Sequence, residues 1–294
     1  MFVEARTRPV LAEVCRRLGY SDTDATLLRH HTNAVYAVRD VVVKIARPGL
    51  GIDRLRSVVA VVRWLVARGF PTVDLSPHMP QPLDVAGYAV TVWQRLDPAL
   101  DNPVTMAELG ALLRELHAAP APPADLPRLR PIEGIHHSII TSTILAEEER
   151  NLLLFHLDGL AETWSKMDFS HATSLIQSDP QTRNALRRAD RTAVLADWDG
   201  VAFGPREWDI ATVAVHCRRF ASTGRDTFAG FTAAYGWDAT AWEGFENLCQ
   251  LRELQMIATN ARKSRAGTAA AVEVHRRIAG LQQGSRERNQ WHIL

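Results

Sequence analysis

Residues 174–211 read SLIQSDPQTRNALRRADRTAVLADWDGVAFGPREWDIA and concentrate side chains that could do chemistry. Asp179 is followed five positions on by Asn184, and a run predicted as a strand at 192–196 then delivers Asp197. A short loop with Asp at its start and Asn near its end can aim both side chains at one point. Such an Asp accepts or orients the proton of an attacking hydroxyl, and the amide oxygen of such an Asn ligates Mg²⁺. A carboxylate just past the next strand adds a hard oxygen ligand suited to a hydrated Mg²⁺ that bridges phosphates. Upstream, Lys44 interrupts an apolar stretch, Val41-Val42-Val43-Lys44-Ile45. A buried lysine is costly unless it faces an anion, and the phosphates of ATP would be that anion. The chemistry such a set could perform is phosphoryl transfer to a hydroxyl.

These residues need elements to hold them. Residues 8–18 carry Val10, Leu11, Val14 and Leu18 at helical spacing, which predicts an amphipathic helix. Short apolar runs at 34–38 and 41–45, separated by Arg39-Asp40, predict a β-hairpin that carries Lys44. A helix is expected over 55–67, closed by Gly69 and Pro71, and a strand over 87–96. A helix over 106–118 has Leu109, Leu112, Leu113 and Leu116 on one face. Five prolines in 119–131 predict an irregular connection, read as a surface excursion or lid. Helical stretches follow at 142–164 and beyond Val213, with Phe228, Phe231, Tyr235, Trp237, Trp242 and Phe245 as expected core. The expected fold class is α+β and two-lobed, with a small β-rich N-lobe at 1–96 and a larger, mostly helical C-lobe at 97–294.

Lys44, Asp179-x4-Asn184 and Asp197-Trp198-Asp199 together resemble the aminoglycoside-phosphotransferase family of kinases, which have a protein-kinase-like fold. Supporting motifs are Thr32-Asn33-Ala34-Val35-Tyr36, Arg63-Trp64-Leu65 with Gly69 and Pro71, Leu113-Arg114-Glu115-Leu116-His117, and Trp208-Asp209-Ile210-Ala211. The resemblance runs from about Thr32 to the C-terminus and implies ATP and Mg²⁺ as cofactors, with ATP bound between the lobes. It implies that Lys44 contacts ATP phosphates, that Asp179 is the catalytic base, and that Asn184 with Asp197 holds Mg²⁺. Asp209 would brace the catalytic loop, the turn at Thr32 and Asn33 would cover the phosphates with backbone N–H groups, and the strand ending in Val92-Trp93-Gln94-Arg95 would read adenine through Gln94.

The pattern breaks in two places. Gln177-Ser178 stand where the family has His-Gly, and Gln181-Thr182-Arg183 replace His-Pro-Gly inside the loop. The helix acid that pairs with the strand lysine in the family aligns with Val58, and Asp53 could replace it only in a shifted register. Without that partner Lys44 would be mobile or would lean on Asp197 until nucleotide arrives. These departures motivate an alternative, a non-catalytic nucleotide-binding pseudokinase acting as sensor or scaffold. Asp199 reads equally as a second acid of the site or as a solvated turn residue.

Other features read more plainly. His30-His31 and His136-His137 are expected in exposed loops, because adjacent residues on a strand point to opposite faces. His117, at a helix end, reads as a cap. Arg262, Lys263, Arg265, Arg276 and Arg277 lack interleaved aromatics and read as a solvated helix face rather than a nucleic-acid patch.

The composition sets outer bounds. A net charge of +1 offers no field to gather nucleic acid or an acidic membrane. No apolar stretch approaches the roughly 20 residues of a membrane span, and the N-terminus does not read as a secretion signal. Three widely spaced cysteines, Cys15, Cys217 and Cys249, fit reduced thiols and a cytoplasmic setting. The expected partner is a small-molecule hydroxyl acceptor, with a monomer or homodimer as the functional form. Residues 201–294 carry 12 Lys/Arg against 9 Asp/Glu, which argues against a polycationic aminoglycoside unless Glu147-Glu148-Glu149 line the pocket. A neutral or modestly charged metabolite, sugar, amino alcohol or natural-product antibiotic is preferred.

Overall fold

The computed structural model describes residues 2–30, 33–96, 102–220, 227–282 and 290–293. Helix α1 (Glu4–Leu18) begins one turn before its predicted start. Glu4 pairs with Arg8 at 2.9 Å, and the helix accommodates Pro9 in its interior. Strands β1 (Thr26–His30), β2 (Asn33–Val38) and β3 (Val41–Ala46) follow, then α2 (Ile52–Ala67), β4 (Leu83–Val85) and β5 (Tyr88–Gln94). Next come α3 (Met106–Ala118), α4 (Pro131–Ile140) and α5 (Glu147–Lys166). Short strands β6 (Ser174–Ile176), β7 (Ala185–Arg187), β8 (Ala193–Leu195) and β9 (Ala202–Gly204) precede α6 (Glu207–Arg219), α7 (Phe228–Tyr235), α8 (Phe245–Lys263) and α9 (Ala269–Gln282). The β-rich first part and helix-rich remainder make the two-lobed, protein-kinase-like α+β fold that the sequence implied.

The chain forms two compact units. The first takes in Met1–Val104, Pro120–Leu126 and Thr182–Val201, and the second takes in Thr105–Ala119, Pro127–Gln181 and Ala202–Leu294. In the first, five antiparallel strands run in the order β1-β2-β3-β5-β4. Alternation along β3 decides what Lys44 faces. Val41, Val43 and Ile45 pack with Val10, Leu11 and Val14 of α1, whereas Ala46 packs with Leu55 of α2 and Ala89. Side chains two apart share a face, so Lys44 projects on the Ala46 side, away from α1. The hairpin turn at Arg39-Asp40 is tight, with Arg39 at φ 50°.

In the second unit α3 packs closely on α7. A Cβ added to Gly110 would lie 2.5 Å from the Phe231 carbonyl oxygen, so only glycine permits this approach. Phe231, Tyr235 and Phe245 are core residues as expected, while Phe228, Trp237 and Trp242 are half-buried. Residues 127–129 are not a free lid: Leu129 N–H donates to the Phe203 carbonyl and Phe203 N–H to the Pro127 carbonyl. Pro131 opens α4 instead of ending the loop, as its preset φ favours at a first helical position. His136 and His137 are exposed, but on α4 rather than in a loop, and His30 ends β1 half-buried against the Phe2 ring. The three cysteines are free thiols. Among the described residues no helix is long and apolar enough to cross a membrane.

Not all of the basic cluster near the C-terminus is solvated. Arg277 is buried, pairs with Glu273 at 2.9 Å, and lies over the Trp291 ring. Glu273 also accepts from Arg276 and from the His292 N–H, so it fastens residues 290–293 to α9. Burial works to raise the Glu273 carboxyl, but these hydrogen bonds outweigh it and hold it at about 2. A depressed carboxyl contributes stability that is present above its unfolded value and is lost as pH falls through the folded value. Glu273→Gln is therefore expected to lower Tm at pH 7, with the gap to wild type narrowing from about pH 4.5 downward to about 2. Thermal melts across that range check it, and a gap that is constant with pH would refute it.

Candidate active site

In the first unit Lys44 is the centre of a charge cluster. Its Nζ lies 2.8 Å from Asp197 Oδ1 and 2.7 Å from Asp199 Oδ2, with the lysine side chain only 11% exposed. Arg29 of β1 reaches Asp197 Oδ2 at 3.5 Å from a half-exposed position. Asn33 is the first residue of β2, and its Nδ2 donates to Asp199 Oδ2 at 2.6 Å. Burial alone would lower the Lys44 pKa, but attraction to Asp197 and Asp199 prevails and holds it above its ordinary value. Burial likewise pushes Asp197 up, and Lys44 with Arg29 more than reverses it, leaving that carboxyl below the usual range.

Local backbone explains why these groups meet. Strands β7 and β8 pair Ala185 with Leu195, and the Ala196 N–H donates to the Asn184 carbonyl at 2.8 Å. Asn184 and Asp197 therefore emerge from the same end of one hairpin, although they lie 13 positions apart in sequence. Asp197 sits at φ 55°, ψ 63°, a left-handed conformation that costs a non-glycine residue about 1–2 kcal/mol and needs firm surroundings. The buried Trp198 supplies part of that hold by donating its indole N–H to Thr72 Oγ1 at 2.8 Å. Arg54 of α2 supplies more, with Nη2 donating to the carbonyls of Asp199 at 2.6 Å and Val201 at 2.7 Å.

The lysine partner expected from α2 is absent, since Val58 is buried in the core and Asp53 is exposed beside Arg56. Asp199 takes its place, so Lys44 does not rely on Asp197 alone. Gln94 ends β5 with an exposed side chain, its N–H donating to the Asp74 carbonyl at 2.9 Å. Thr32 and His31 lie outside the described residues.

Asp179 belongs to the second unit, at the tip of a loop held from below by Asp209. Asp209, fully buried, accepts the Gln177 N–H at 2.8 Å and the Ser178 N–H at 2.9 Å. The Gln177 amide oxygen in turn accepts the Asp179 N–H at 2.8 Å. Ser178 has φ 75°, which accounts for a glycine at this position in the family pattern. Here a serine tolerates the strain because Asp209 and the Trp208 indole hold its backbone. His117 does not cap its helix: it is buried, with Nε2 3.2 Å from Asp209 Oδ2 and Nδ1 2.9 Å from the Tyr235 hydroxyl. An ionised carboxylate only accepts, so Nε2 carries the proton and Nδ1 accepts from Tyr235. Burial pushes Tyr235 up to about 12, which keeps it a donor.

The Asp179 carboxylate is about half-exposed and accepts from the buried Arg252 of α8 and from Gln181 Nε2 at 3.2 Å. Arg252 also bonds Gln255 and lies over the Trp208 ring. Its neighbour Glu253 is paired with Arg219 at 2.7 Å. Glu147 and Glu148 are exposed, while Glu149 accepts the Ala146 N–H and pairs with His275, so this acidic run forms the N-terminus of α5. The roles of Arg29, Arg54 and Arg252 have no counterpart in the sequence motif. The legible sign for two of them was a charge on an apolar helix stripe: Arg54 one turn before Val58, and Arg252 one turn after Leu248.

The arrangement fits a metal nucleotide. Asp197, Asp199 and Asn184 are hard oxygen donors, Lys44 and Arg29 are cations, and Asn33 Oδ1 is buried with no hydrogen-bond partner among the described residues. No cluster of three or more His, Cys, Asp or Glu among the described residues could hold a metal. Mg²⁺ does not need one where phosphates complete its shell.

The comparisons agree with this architecture. No curated protein sequence matched. Among solved structures, an amicoumacin kinase in complex with AMP-PNP, Ca²⁺ and Ami superposes with a TM-score of 0.72 at 13% identity, covering 97% of each chain. A microcompartment-associated aminopropanol kinase gives 0.73 at 16% identity, over 92% of this chain and 94% of that one. A choline/ethanolamine kinase family protein from Mesorhizobium loti gives 0.63 at 17%, over 96% and 94%. At such identities the likeness establishes the fold. The sequence profile of the phosphotransferase enzyme family matches residues 24–246, most of the chain, and takes in Lys44, Asp179, Asn184, Asp197, Asp199 and Asp209, while Arg252, Glu253, Gln255 and His275 lie beyond it. The protein belongs to the phosphotransferase enzyme family.

Proposed function

We propose that the protein is an ATP-dependent kinase that transfers the γ-phosphate to a hydroxyl of a small molecule. The observation that carries this reading is the buried Lys44 held by two carboxylates of a left-handed turn, Asp197 and Asp199. Lys44 and Arg29 would turn from these carboxylates to the phosphates, and Gln94 with Asn33 would flank the nucleotide. Asn184 and Asp197 would hold Mg²⁺. The bound ion would neutralise charge developing on the phosphoryl oxygens. Asp179, fixed by Gln177 and Arg252, would orient the acceptor hydroxyl and take its proton.

The pseudokinase alternative rested on a lysine without its helix acid and on the altered Gln177-Ser178; the Asp199 contact to Lys44 and the Asp209 bonds to the Gln177 and Ser178 N–H groups weigh against it. The acceptor is neutral or modestly charged. The charge of Asp179 is matched by Arg252 and that of Glu253 by Arg219, which leaves little negative potential there for a polycation. Sugars, hydroxylated metabolites and natural products with few ammonium groups fit, and kinases of amino alcohols and of amicoumacin share the fold.

Thermal melts with and without Mg²⁺·ATP test the nucleotide site. Ligand at 100 times its Kd adds about 2.7 kcal/mol, which raises Tm by several degrees. The shift should require metal and vanish in Asp197→Ala. No shift at millimolar ATP would sink the reading. A metal-dependent shift should be followed by ADP release when hydroxyl acceptors are supplied.

A further inference from the structure

The strand lysine obtains its second carboxylate from the turn that also carries Asp197, and not from α2. That turn must then be held by something other than the lysine. When phosphates and metal compete for Lys44 and Asp197, the ion pairs that now fasten the turn are the ones given up. The bonds from Arg54 are of another kind. They end on backbone carbonyls, those of Asp199 and Val201, and so take no carboxylate oxygen from a metal and no cation from a phosphate. Neither a phosphate nor a metal ion competes for them.

Three further observations mark Arg54 as more than packing. It stands on the same face of α2 as Val58, one turn earlier, so the helix meets the turn through a donor where the family pattern has an acid. Its Nη1 is buried with no hydrogen-bond partner among the described residues. An unpartnered buried donor is costly, and an apolar side chain of the same length would fill the space without it. Lastly, the turn it grips follows directly on a residue at φ 55°, a conformation that persists only where the surroundings over-determine it.

We propose that Arg54 is a positioning residue for the metal-binding turn. From α2 it holds Asp197 in its left-handed conformation and thereby sets the metal-dependent part of nucleotide affinity. The inference rests on the assignment of Asp197 and Asn184 to Mg²⁺.

Calorimetric titration of ATP into the wild-type, Arg54→Met and Arg54→Lys proteins, each in Mg²⁺ and in EDTA, tests it. The melting temperature of each nucleotide-free protein is measured alongside. Arg54→Met should bind ATP about tenfold more weakly in Mg²⁺, about 1.4 kcal/mol, and within about twofold of wild type in EDTA. Arg54→Lys, with one ammonium for two carbonyls, should lose about threefold, again only with metal. Equal losses in both buffers, or wild-type affinity in Arg54→Met, would overturn the proposal in favour of a purely structural arginine. Should Arg54→Met not fold, the metal-specific loss in Arg54→Lys decides the matter alone. Wild-type protein whose ATP affinity ignores Mg²⁺ would remove the metal assignment, and this inference with it. That outcome is visible before any variant is made.

Discussion

Asp179→Asn is expected to lower phosphoryl transfer by about 10²–10⁴-fold, the range that a positioned general base contributes, while leaving Mg²⁺·ATP affinity within about twofold. The separation follows from where the groups reside. Lys44, Asn184 and Asp197 belong to the first unit, whereas Asp179 belongs to the second. Asparagine is the informative replacement because of Arg252. That guanidinium is buried, and removing its only acidic partner among the described hydrogen bonds would strand a charge. The asparagine oxygen can still accept from Arg252, so the loop geometry survives while the basic carboxylate is lost. Single-turnover phosphorylation and nucleotide titration on the same sample check both halves. Wild-type turnover in Asp179→Asn would remove Asp179 from the role of base.

Asp209→Asn should be the most damaging conservative change to the loop itself. The carboxylate is fully buried and accepts three donors: the Gln177 and Ser178 N–H groups and His117 Nε2. An amide offers one oxygen and turns an N–H toward the remaining donors. Leaving a buried donor unpaired in such a network costs about 3 kcal/mol, which in a protein of this size lowers Tm by roughly 5–10 °C. Ser178 is held at φ 75° by one of the lost bonds, so the backbone that presents Asp179 should relax as well. The variant is therefore expected to lose turnover at temperatures where it remains folded, and to keep its Mg²⁺·ATP affinity. A melt indistinguishable from wild type would show that Asp209 is not the brace.

Both predictions concern residues visible in the sequence, yet they were visible in different ways. Asp179, Asn184, Asp197 and Lys44 could be picked out because phosphoryl transfer constrains residue type and local spacing. Helix α3 was legible to the residue, at 106–118, because its leucines recur at helical spacing, and the structure adds a capping box of Thr105 with Glu108 at its start. The β2–β3 hairpin was legible for the same kind of reason, alternation around a tight turn. Helix α1 was placed too short because the apolar spacing begins at Val10, while its first turn from Glu4 carries no such period and Pro9 lies inside the helix. The lid reading of 119–131 failed at 127–129 because backbone hydrogen bonds to β9 depend on a partner about 75 residues away.

What the sequence by itself determined was the chemistry on offer: a strand lysine, a loop Asp with its Asn, and an Asp after the next strand, within a β-rich lobe followed by a helical one. These are local facts, written in residue type and period. The tertiary structure alone decided which charge answers which. Asp199 rather than an acid of α2 completes Lys44, Arg54 reaches the turn across 145 residues, and His117 braces Asp209 rather than capping its own helix. Ion pairs inside a protein form between groups that folding brings within a few ångströms and removes from water, and at that range the sequence interval between them has no influence on their energy.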